Sequence, residues 1–199
     1  MRSSLLYQQA MIPFAEIYIT NRHLCQGDLV ERIALLTAHS PKYIILREKD
    51  LLASEYGMLA ERAIAACAPS GVTCVLHTFV AVAKELNHPI IHLPMNILRE
   101  LPEVERKWFK VLGASCHSVE EALEAQRLGC TYITAGHIFP TECKADVPAR
   151  GLQFLREICQ AVSIPVYALG GITDDNRMAC LTAGAAGTAV MSSAMLTID

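Results

Sequence analysis

One short segment of the 199-residue chain, from Gly136 to Lys144, carries four side chains that could take part in chemistry. His137 is a candidate catalytic base, because histidine titrates near neutral pH and can accept and return a proton. Lys144 and Cys143 are further catalytic candidates, although Lys144 is the only sequence neighbour that would activate the thiol. Thr141 is a candidate substrate ligand. A structural role is the alternative for His137.

Two further pairs of polar side chains stand at the ends of predicted strands. Ser115 and His117 follow an apolar run and precede a helical pattern, so they either contact a ligand or cap a tight turn. Arg47 and Lys49 belong to the run Leu-Arg-Glu-Lys, where alternating charges would line the mouth of a pocket. A guanidinium group can bind a carboxylate or phosphate through two parallel hydrogen bonds. We predict all four as substrate-binding residues, with a surface charge cluster as the alternative for the second pair.

Paired glycines and paired serines follow the last two apolar runs of the chain. Gly170 and Gly171 come after the first of these runs, and Ser192 and Ser193 come after the second. Glycines let backbone N–H groups approach a ligand closely, and a short helix can begin at the serines. In a barrel, the loops after strands seven and eight commonly form a phosphate site. We therefore predict that these four residues bind phosphate, with simple turn formation as the alternative for the glycines.

The elements that must position these residues recur as a short apolar run followed by a helical pattern, about every 20 to 25 residues. Near-continuous apolar strands are typical of a parallel sheet that is buried on both faces. Helical periodicity marks Asp28–Ala38, Ser54–Cys67 and Ser118–Leu128, the last with a capping box formed by Ser118 and Glu121. The predicted strands are Glu16–Thr20, Tyr43–Glu48, Thr73–His77, Ile90–Leu93, Lys110–Ser115, Tyr132–Gly136, Val166–Gly170 and Gly187–Met191.

Alternating strands and helices predict an α/β fold, a (β/α)8 TIM barrel formed by residues 1–199 as one domain. A doubly wound open sheet fits the same strand count. Polar and glycine residues follow nearly every strand, however, and a barrel gathers all those loops on one face. Only Ser192–Asp199 follows the last predicted strand, so we expect a truncated last helix. Residues 1–14, as an N-terminal arm or short helix, or a second subunit would then cover the gap.

The composition narrows the classes of function. Hydrophobic residues make up 52% of the chain and charged residues 19%, as in a globular protein. A net charge of −3 without a basic stripe argues against a nucleic-acid partner. No apolar run is long enough for a membrane span, and no convincing signal peptide is present. We expect a cytoplasmic protein with reduced cysteines that acts on a small molecule, and a homo-oligomer stays open.

Five motifs of the chain form a specific set: LREK at 46–49, SCHSVEEA at 115–122, GHIFPTECK at 136–144, ALGGIT at 168–173 and AGAAGTAVMSS at 183–193. Together they resemble the thiamine phosphate synthase and TenI superfamily along nearly the whole chain. The resemblance implies a barrel of that family, with a ligand phosphate held by the backbone around Gly170–Gly171 and Ser192–Ser193.

The chain departs from the synthase pattern where the metal would bind. Synthases of this family join a pyrimidine diphosphate to a thiazole phosphate and hold Mg²⁺ with two aspartates, one after strand three and one after strand four. Thr78 and Ile97 stand at those positions. Isoleucine offers no oxygen ligand to Mg²⁺, and a diphosphate leaving group without its metal keeps uncompensated charge. We therefore predict no metal and no other cofactor.

A second departure is Gly136-His137, where the synthases usually have Gly-Pro. TenI-type thiazole tautomerases are similar to this chain there, and a histidine is their assigned proton carrier. The resemblance thus implies an isomerase that aromatises a carboxylated thiazole tautomer phosphate. One alternative is a thiamine phosphate synthase, a transferase, with a relocated metal site. Another is a non-catalytic barrel that binds thiazole phosphates or has a regulatory role.

Overall fold

The strands of the chain close into a complete barrel. A computed structural model describes residues 15–141 and 147–196. Neighbouring strands pair in parallel in the order of the sequence, and β8 returns to pair with β1. The predicted TIM barrel is therefore confirmed, and the open sheet is wrong because an open sheet would leave two unpaired edges. The strands are β1 Ala15–Ile19, β2 Tyr43–Leu46, β3 Thr73–His77, β4 Ile90–Pro94, β5 Val111–Cys116, β6 Tyr132–Gly136, β7 Val166–Leu169 and β8 Gly187–Val190.

Helices connect the strands around the outside of the barrel. The three helices predicted from periodicity are present as α1, α2 and α6, with small differences at their ends. Residues 1–14, where an arm was predicted, lie outside the described residues, as do residues 197–199. The helices are α1 Leu29–Thr37, α2 Ala53–Cys67, α3 Val80–Glu85, α4 Met95–Glu100, α5 Glu103–Arg106, α6 Val119–Arg127, α7 Gly151–Ala161, α8 Arg177–Thr182 and α9 Ser192–Leu196, with a 3-10 turn at Ala68–Ser70. None of the described helices has the length and apolar character needed to cross a bilayer.

Four strands, β1, β2, β7 and β8, end earlier than the sequence pattern predicts. β2 stops at Leu46 rather than Glu48, and β7 stops at Leu169 rather than Gly170. Gly170 and Gly171 have φ angles of 96° and 64°, which no strand residue adopts. The residues that follow β2 and β7 belong to loops, and these loops form part of the carboxyl-terminal face of the barrel.

The predicted capping box at the start of α6 is modified in the structure. The Glu121 N–H donates to Ser118 Oγ at 3.1 Å, as expected for an N-cap serine. The Glu121 carboxylate, however, accepts a hydrogen bond from the N–H of His117 at 2.7 Å. The helix start therefore fixes the backbone of His117, one residue before the cap.

Alternate residues of each strand face two separate cores. Ile44 packs outward against the helices, whereas Ile45 packs inward with the barrel interior. Three tyrosines fill the interior near the amino-terminal ends of the strands. The ring of Tyr132 lies 5.0 Å from that of Tyr43 and 5.9 Å from that of Tyr167, measured between centroids. This packing closes the barrel from below, so the open space lies at the carboxyl ends of the strands.

Candidate active site

A cavity of about 390 Å³ opens at the carboxyl ends of the strands. TIM barrels carry their ligand sites on this face, and the volume suits a small molecule. The sequence-predicted residues that line it are Arg47, Lys49, Ser115, His117, His137, Thr141, Gly170, Gly171, Ser192 and Ser193. The remaining two candidates, Cys143 and Lys144, lie outside the described residues. Sequence reasoning missed the lining histidines His77 and His92.

The charged residues after β2 alternate between two environments. Arg47 and Lys49 face the cavity. Glu48 is only 2% exposed and accepts hydrogen bonds from Thr20 Oγ1 at 2.6 Å and from the N–H and Nη1 of Arg22, each at 3.1 Å. Thr20 Oγ1 in turn accepts from the N–H of Arg47 at 2.9 Å. The buried carboxylate therefore ties the end of β1 to the end of β2 and fixes the backbone that carries Arg47.

Two stacked histidines form the floor of the cavity. The rings of His77 and His92 lie 5.7 Å apart between centroids. Burial, followed by the positive charge of Lys49, lowers the pKa of His92 to about 3. The pKa of His77 is also well below its usual value, because of burial and then the neighbouring His92 and cations. Both imidazoles are therefore neutral at physiological pH.

His92 could have been found from the sequence, because alternate residues of a strand point to the same side of the sheet. It is the one polar residue in the apolar run of β4, and it points to the same side of the sheet as Ile90, which packs against the interior cluster. Its two ring nitrogens bond to side chains of neighbouring strands. His92 Nδ1 lies 3.0 Å from the Tyr132 hydroxyl, and His92 Nε2 lies 2.8 Å from Ser115 Oγ.

His117 holds the end of β6 from inside the cavity wall. Its Nδ1 donates to the carbonyl oxygen of Gly136 at 2.8 Å. The Nε2 atom therefore carries the lone pair whenever the ring is neutral. The predicted substrate ligand thus also fixes the residue directly before His137.

His137 is held on the cavity wall by a backbone acceptor. Its side chain is nearly buried, at 4% exposure, and its Nε2 donates to the carbonyl oxygen of Val147 at 3.0 Å. A carbonyl can only accept, so Nε2 carries the ring hydrogen. The lone pair of the neutral ring is then on Nδ1, the atom available to act as a base. The Gly136–His137 peptide bond is cis.

The glycine pair after β7 packs directly against the loop that carries His137. The N–H groups of Ile138 and Phe139 donate to the carbonyl oxygens of Leu169 and Gly170, at 2.9 and 3.0 Å. A Cβ atom added to Gly170 would lie 2.3 Å from the Cβ of His137. One added to Gly171 would lie 2.4 Å from the carbonyl oxygen of Pro140. The glycines were expected to let a ligand approach the backbone closely, but in the structure the loop after β6 makes this close approach. Phosphate binding at the glycines stays a prediction.

The positions of the synthase aspartates do not fit a magnesium ion. Thr78 Oγ1 bonds to His77 Nδ1 at 2.6 Å, and Ile97 on α4 packs against the outer core. No carboxylate is among the described residues that line the cavity, whereas Mg²⁺ prefers oxygen ligands with carboxylates among them. Glu142 and Asp146 lie outside the described residues. The described donor set therefore does not reproduce the metal site of the synthases.

Comparisons with known proteins identify one family at 30% identity or more. A family model described as thiamine monophosphate synthase, TMP-TENI, matches residues 17–194. The thiamine-phosphate synthase of Clostridium tetani is 31% identical over 180 residues, covering 87% of this chain and 84% of that protein. The thiamine-phosphate synthase of Pyrococcus abyssi is 45% identical over 104 residues, covering 52% of this chain and 47% of that protein. The solved structure of thiamine phosphate pyrophosphorylase from Pyrococcus furiosus has a TM-score of 0.80 at 31% identity, covering 94% of this chain and 89% of the other.

The chain therefore belongs to the thiamine monophosphate synthase and TenI family. The match to the Pyrococcus abyssi synthase spans about half the length of that protein, whereas the clostridial match spans most of both chains. These relatives are named as synthases, which are transferases. Their names favour the transferase alternative, and they do not show the tautomerase activity that the motif at Gly136-His137 implies.

Replacing Glu48 with alanine should destabilise the barrel. Thr20 and Arg22 would lose a buried acceptor, and removal of one partner from a buried charge pair costs about 3 kcal/mol of unfolding free energy. Asp50→Ala is the matched control, because Asp50 binds the same guanidinium group, at 2.5 Å, but is exposed. Urea unfolding should separate the two variants clearly. Equal stability of both variants would show that Glu48 does not hold the strand ends together.

Replacing Gly170 with alanine should displace the loop that carries His137. Gly129→Ala is the control. Both glycines have a left-handed backbone, with φ angles of 93° for Gly129 and 96° for Gly170. An added Cβ atom would meet no other atom within 4 Å at Gly129, whereas at Gly170 it would collide with His137. The control should lose about 1 kcal/mol for the left-handed backbone alone. Gly170→Ala should lose about 2 kcal/mol more, as an overpacked site does. Thermal unfolding measures both, and equal losses would contradict the close approach.

Proposed function

We propose that this chain is a thiazole tautomerase that aromatises a carboxylated thiazole tautomer phosphate. The observation that carries the proposal is His137, which replaces the usual proline of the synthases and whose Nδ1 lone pair is available in the cavity wall. The described lining of the same cavity offers cations, neutral imidazoles and glycine backbone. Such a lining suits an anionic substrate and a proton transfer.

The reaction relocates one proton. His137 takes the proton from the saturated ring carbon, and the electron pair of that C–H bond forms a ring C=N bond. The former C=N pair moves into a ring C=C bond, and the exocyclic double bond uses its pair to accept a proton at the alkylidene carbon. Atoms and electrons balance without an oxidant or a metal. Aromatisation drives the step, so the protein contributes positioning and proton handling.

The two anionic ends of the substrate match two parts of the cavity. Arg47 and Lys49 are proposed to bind the carboxylate, Arg47 through a bidentate pair of hydrogen bonds. The backbone of Gly170–Gly171 and of Ser192–Ser193 is proposed to bind the phosphate. Thr141 and Lys144 would complete the binding of the substrate, and Cys143 is a candidate for the second proton transfer.

His137→Asn and His137→Ala should abolish most of the tautomerisation. Loss of a general base typically lowers the rate by about 10² to 10⁴-fold. His39→Asn is the control, because His39 is exposed and does not line the cavity. The assay follows the absorbance of the tautomer as it aromatises, with thermal unfolding as a check on folding. Wild-type rates in both His137 variants would rule out the mechanism.

The second candidate is a thiamine phosphate synthase, which the names of the relatives favour. Incubation of the wild-type protein with the pyrimidine diphosphate, the thiazole phosphate and Mg²⁺ would then yield thiamine phosphate. We expect no such product, together with turnover of the tautomer. Thiamine phosphate formation without tautomer turnover would establish the synthase instead. Binding of the thiazole phosphate with neither reaction would establish a non-catalytic barrel.

A further inference from the structure

A chain of hydrogen bonds crosses the barrel interior below the cavity. The Tyr132 hydroxyl lies 3.0 Å from His92 Nδ1, and His92 Nε2 lies 2.8 Å from Ser115 Oγ. Thr134 Oγ1 also donates to Ser115 Oγ, over 3.4 Å. Tyr132 and His92 are almost completely buried, whereas Ser115 is only half-buried and lines the cavity. This chain of hydrogen bonds therefore leads from the apolar interior to the cavity.

The direction of this chain follows from the burial of Tyr132. Within the described part of the chain, His92 Nδ1 is the hydrogen-bond partner of this hydroxyl. If the hydroxyl accepted from His92, its own hydrogen would have no acceptor among these residues. A buried donor without a partner costs about 1 to 3 kcal/mol, more than an unused lone pair on the same oxygen. Burial also raises the pKa of Tyr132 well above its usual value, so the hydroxyl keeps its hydrogen. Tyr132 must therefore donate to His92 Nδ1.

The hydrogen bond from Tyr132 also fixes which way the hydrogen bond between His92 and Ser115 runs, because the ring of His92 is neutral. With Nδ1 accepting, the single ring hydrogen is on Nε2 and points to Ser115 Oγ. Ser115 then accepts from both His92 and Thr134. Its own hydrogen cannot point to either of them, and the remaining side of Ser115 faces the cavity.

We infer that His92 is a positioning residue, held in the Nε2–H form by Tyr132, and that it fixes Ser115 as a hydrogen-bond donor to the ring nitrogen of a bound thiazole. The inference rests on the proposed function for the identity of the ring. Removal of the ring proton by His137 builds negative charge that the ring nitrogen shares. A donor that is already aimed at this atom stabilises that charge without reorganisation.

The first test examines the tautomer of His92 without any substrate. Nitrogen NMR of the whole protein with 15N-labelled histidine distinguishes Nε2–H, Nδ1–H and the doubly protonated ring, and the spectrum of His92→Gln assigns the signal. The expected result at pH 6 is a neutral Nε2–H ring, in keeping with its pKa of about 3. An Nδ1–H ring or an imidazolium would overturn the inference.

The second test asks whether His92 acts through Ser115. Ser115→Ala and His92→Leu should each lower kcat by about 10- to 100-fold, the usual effect of one hydrogen bond to a charged group. His92→Gln should recover much of the rate, because an amide can accept from Tyr132 and donate to Ser115. In the Ser115→Ala background, His92→Leu should have little further effect. Multiplicative losses, or no recovery with glutamine, would assign His92 a merely structural role.

A matched control separates these effects from a general disturbance of the interior. Tyr167→Phe removes a hydroxyl from the same cluster of tyrosine rings. It removes no member of the hydrogen-bond chain formed by Tyr132, His92 and Ser115. This variant should keep the wild-type kcat. A loss as large as that of His92→Leu would show that kcat responds to the packing of the cluster rather than to the chain.

Binding of thiazole phosphate distinguishes a failure of this inference from a failure of the proposed function. Its ring nitrogen is an acceptor whether or not the protein turns over a tautomer. Titration calorimetry should show Kd raised about fivefold by Ser115→Ala and by His92→Leu, with no further rise in the double variant. If the wild type lacks tautomerase activity but shows this pattern, only the proposed function fails. If it is active and Kd does not change, only the inference fails.

Discussion

The backbone contact between the loop after β6 and the glycine turn after β7 is the constraint on which the site depends. Two hydrogen bonds, from Ile138 to Leu169 and from Phe139 to Gly170, continue the β6–β7 pairing past the ends of both strands. Only residues without a Cβ atom allow this approach. His137 and the predicted phosphate cradle consequently form one rigid unit. A change in one of these two loops must move the other.

The same unit explains how the barrel keeps a histidine nearly buried and still available for chemistry. His137 has a backbone acceptor on Nε2, so its orientation does not depend on a neighbouring carboxylate. The imidazoles of His77 and His92 add no positive charge to the cavity, because burial and the nearby cations oppose their protonation. Positive charge in the described lining therefore comes from Arg47 and Lys49, which an anionic ligand would neutralise.

Much of this arrangement was predictable because barrel topology places the carboxyl ends of all strands on one face. Ser115, His117, Arg47 and Lys49 needed only the correct strand positions to be assigned to the cavity. Glu48 was not predictable as a structural residue, since its partners Thr20 and Arg22 come from the preceding loop. The role of Tyr132 was hidden for a similar reason. It begins β6 and reaches His92 across Gly113 of β5, which is in register with both residues and has no side chain to separate them.

Membership of a family named for synthases does not by itself assign the reaction. The barrel and the predicted phosphate site would serve either chemistry, whereas a diphosphate leaving group needs compensation of its charge. At the second aspartate position, Ile97 is half-buried against the outer core, and at the first, Thr78 is hydrogen-bonded to His77. An aspartate in place of Ile97 would lose apolar packing and place a charge in a partly buried position. A magnesium ion bound to this aspartate would also need further oxygen ligands. The described residues therefore provide apolar packing at one metal position and a hydrogen bond to a neutral histidine at the other, and His137 lines the same cavity.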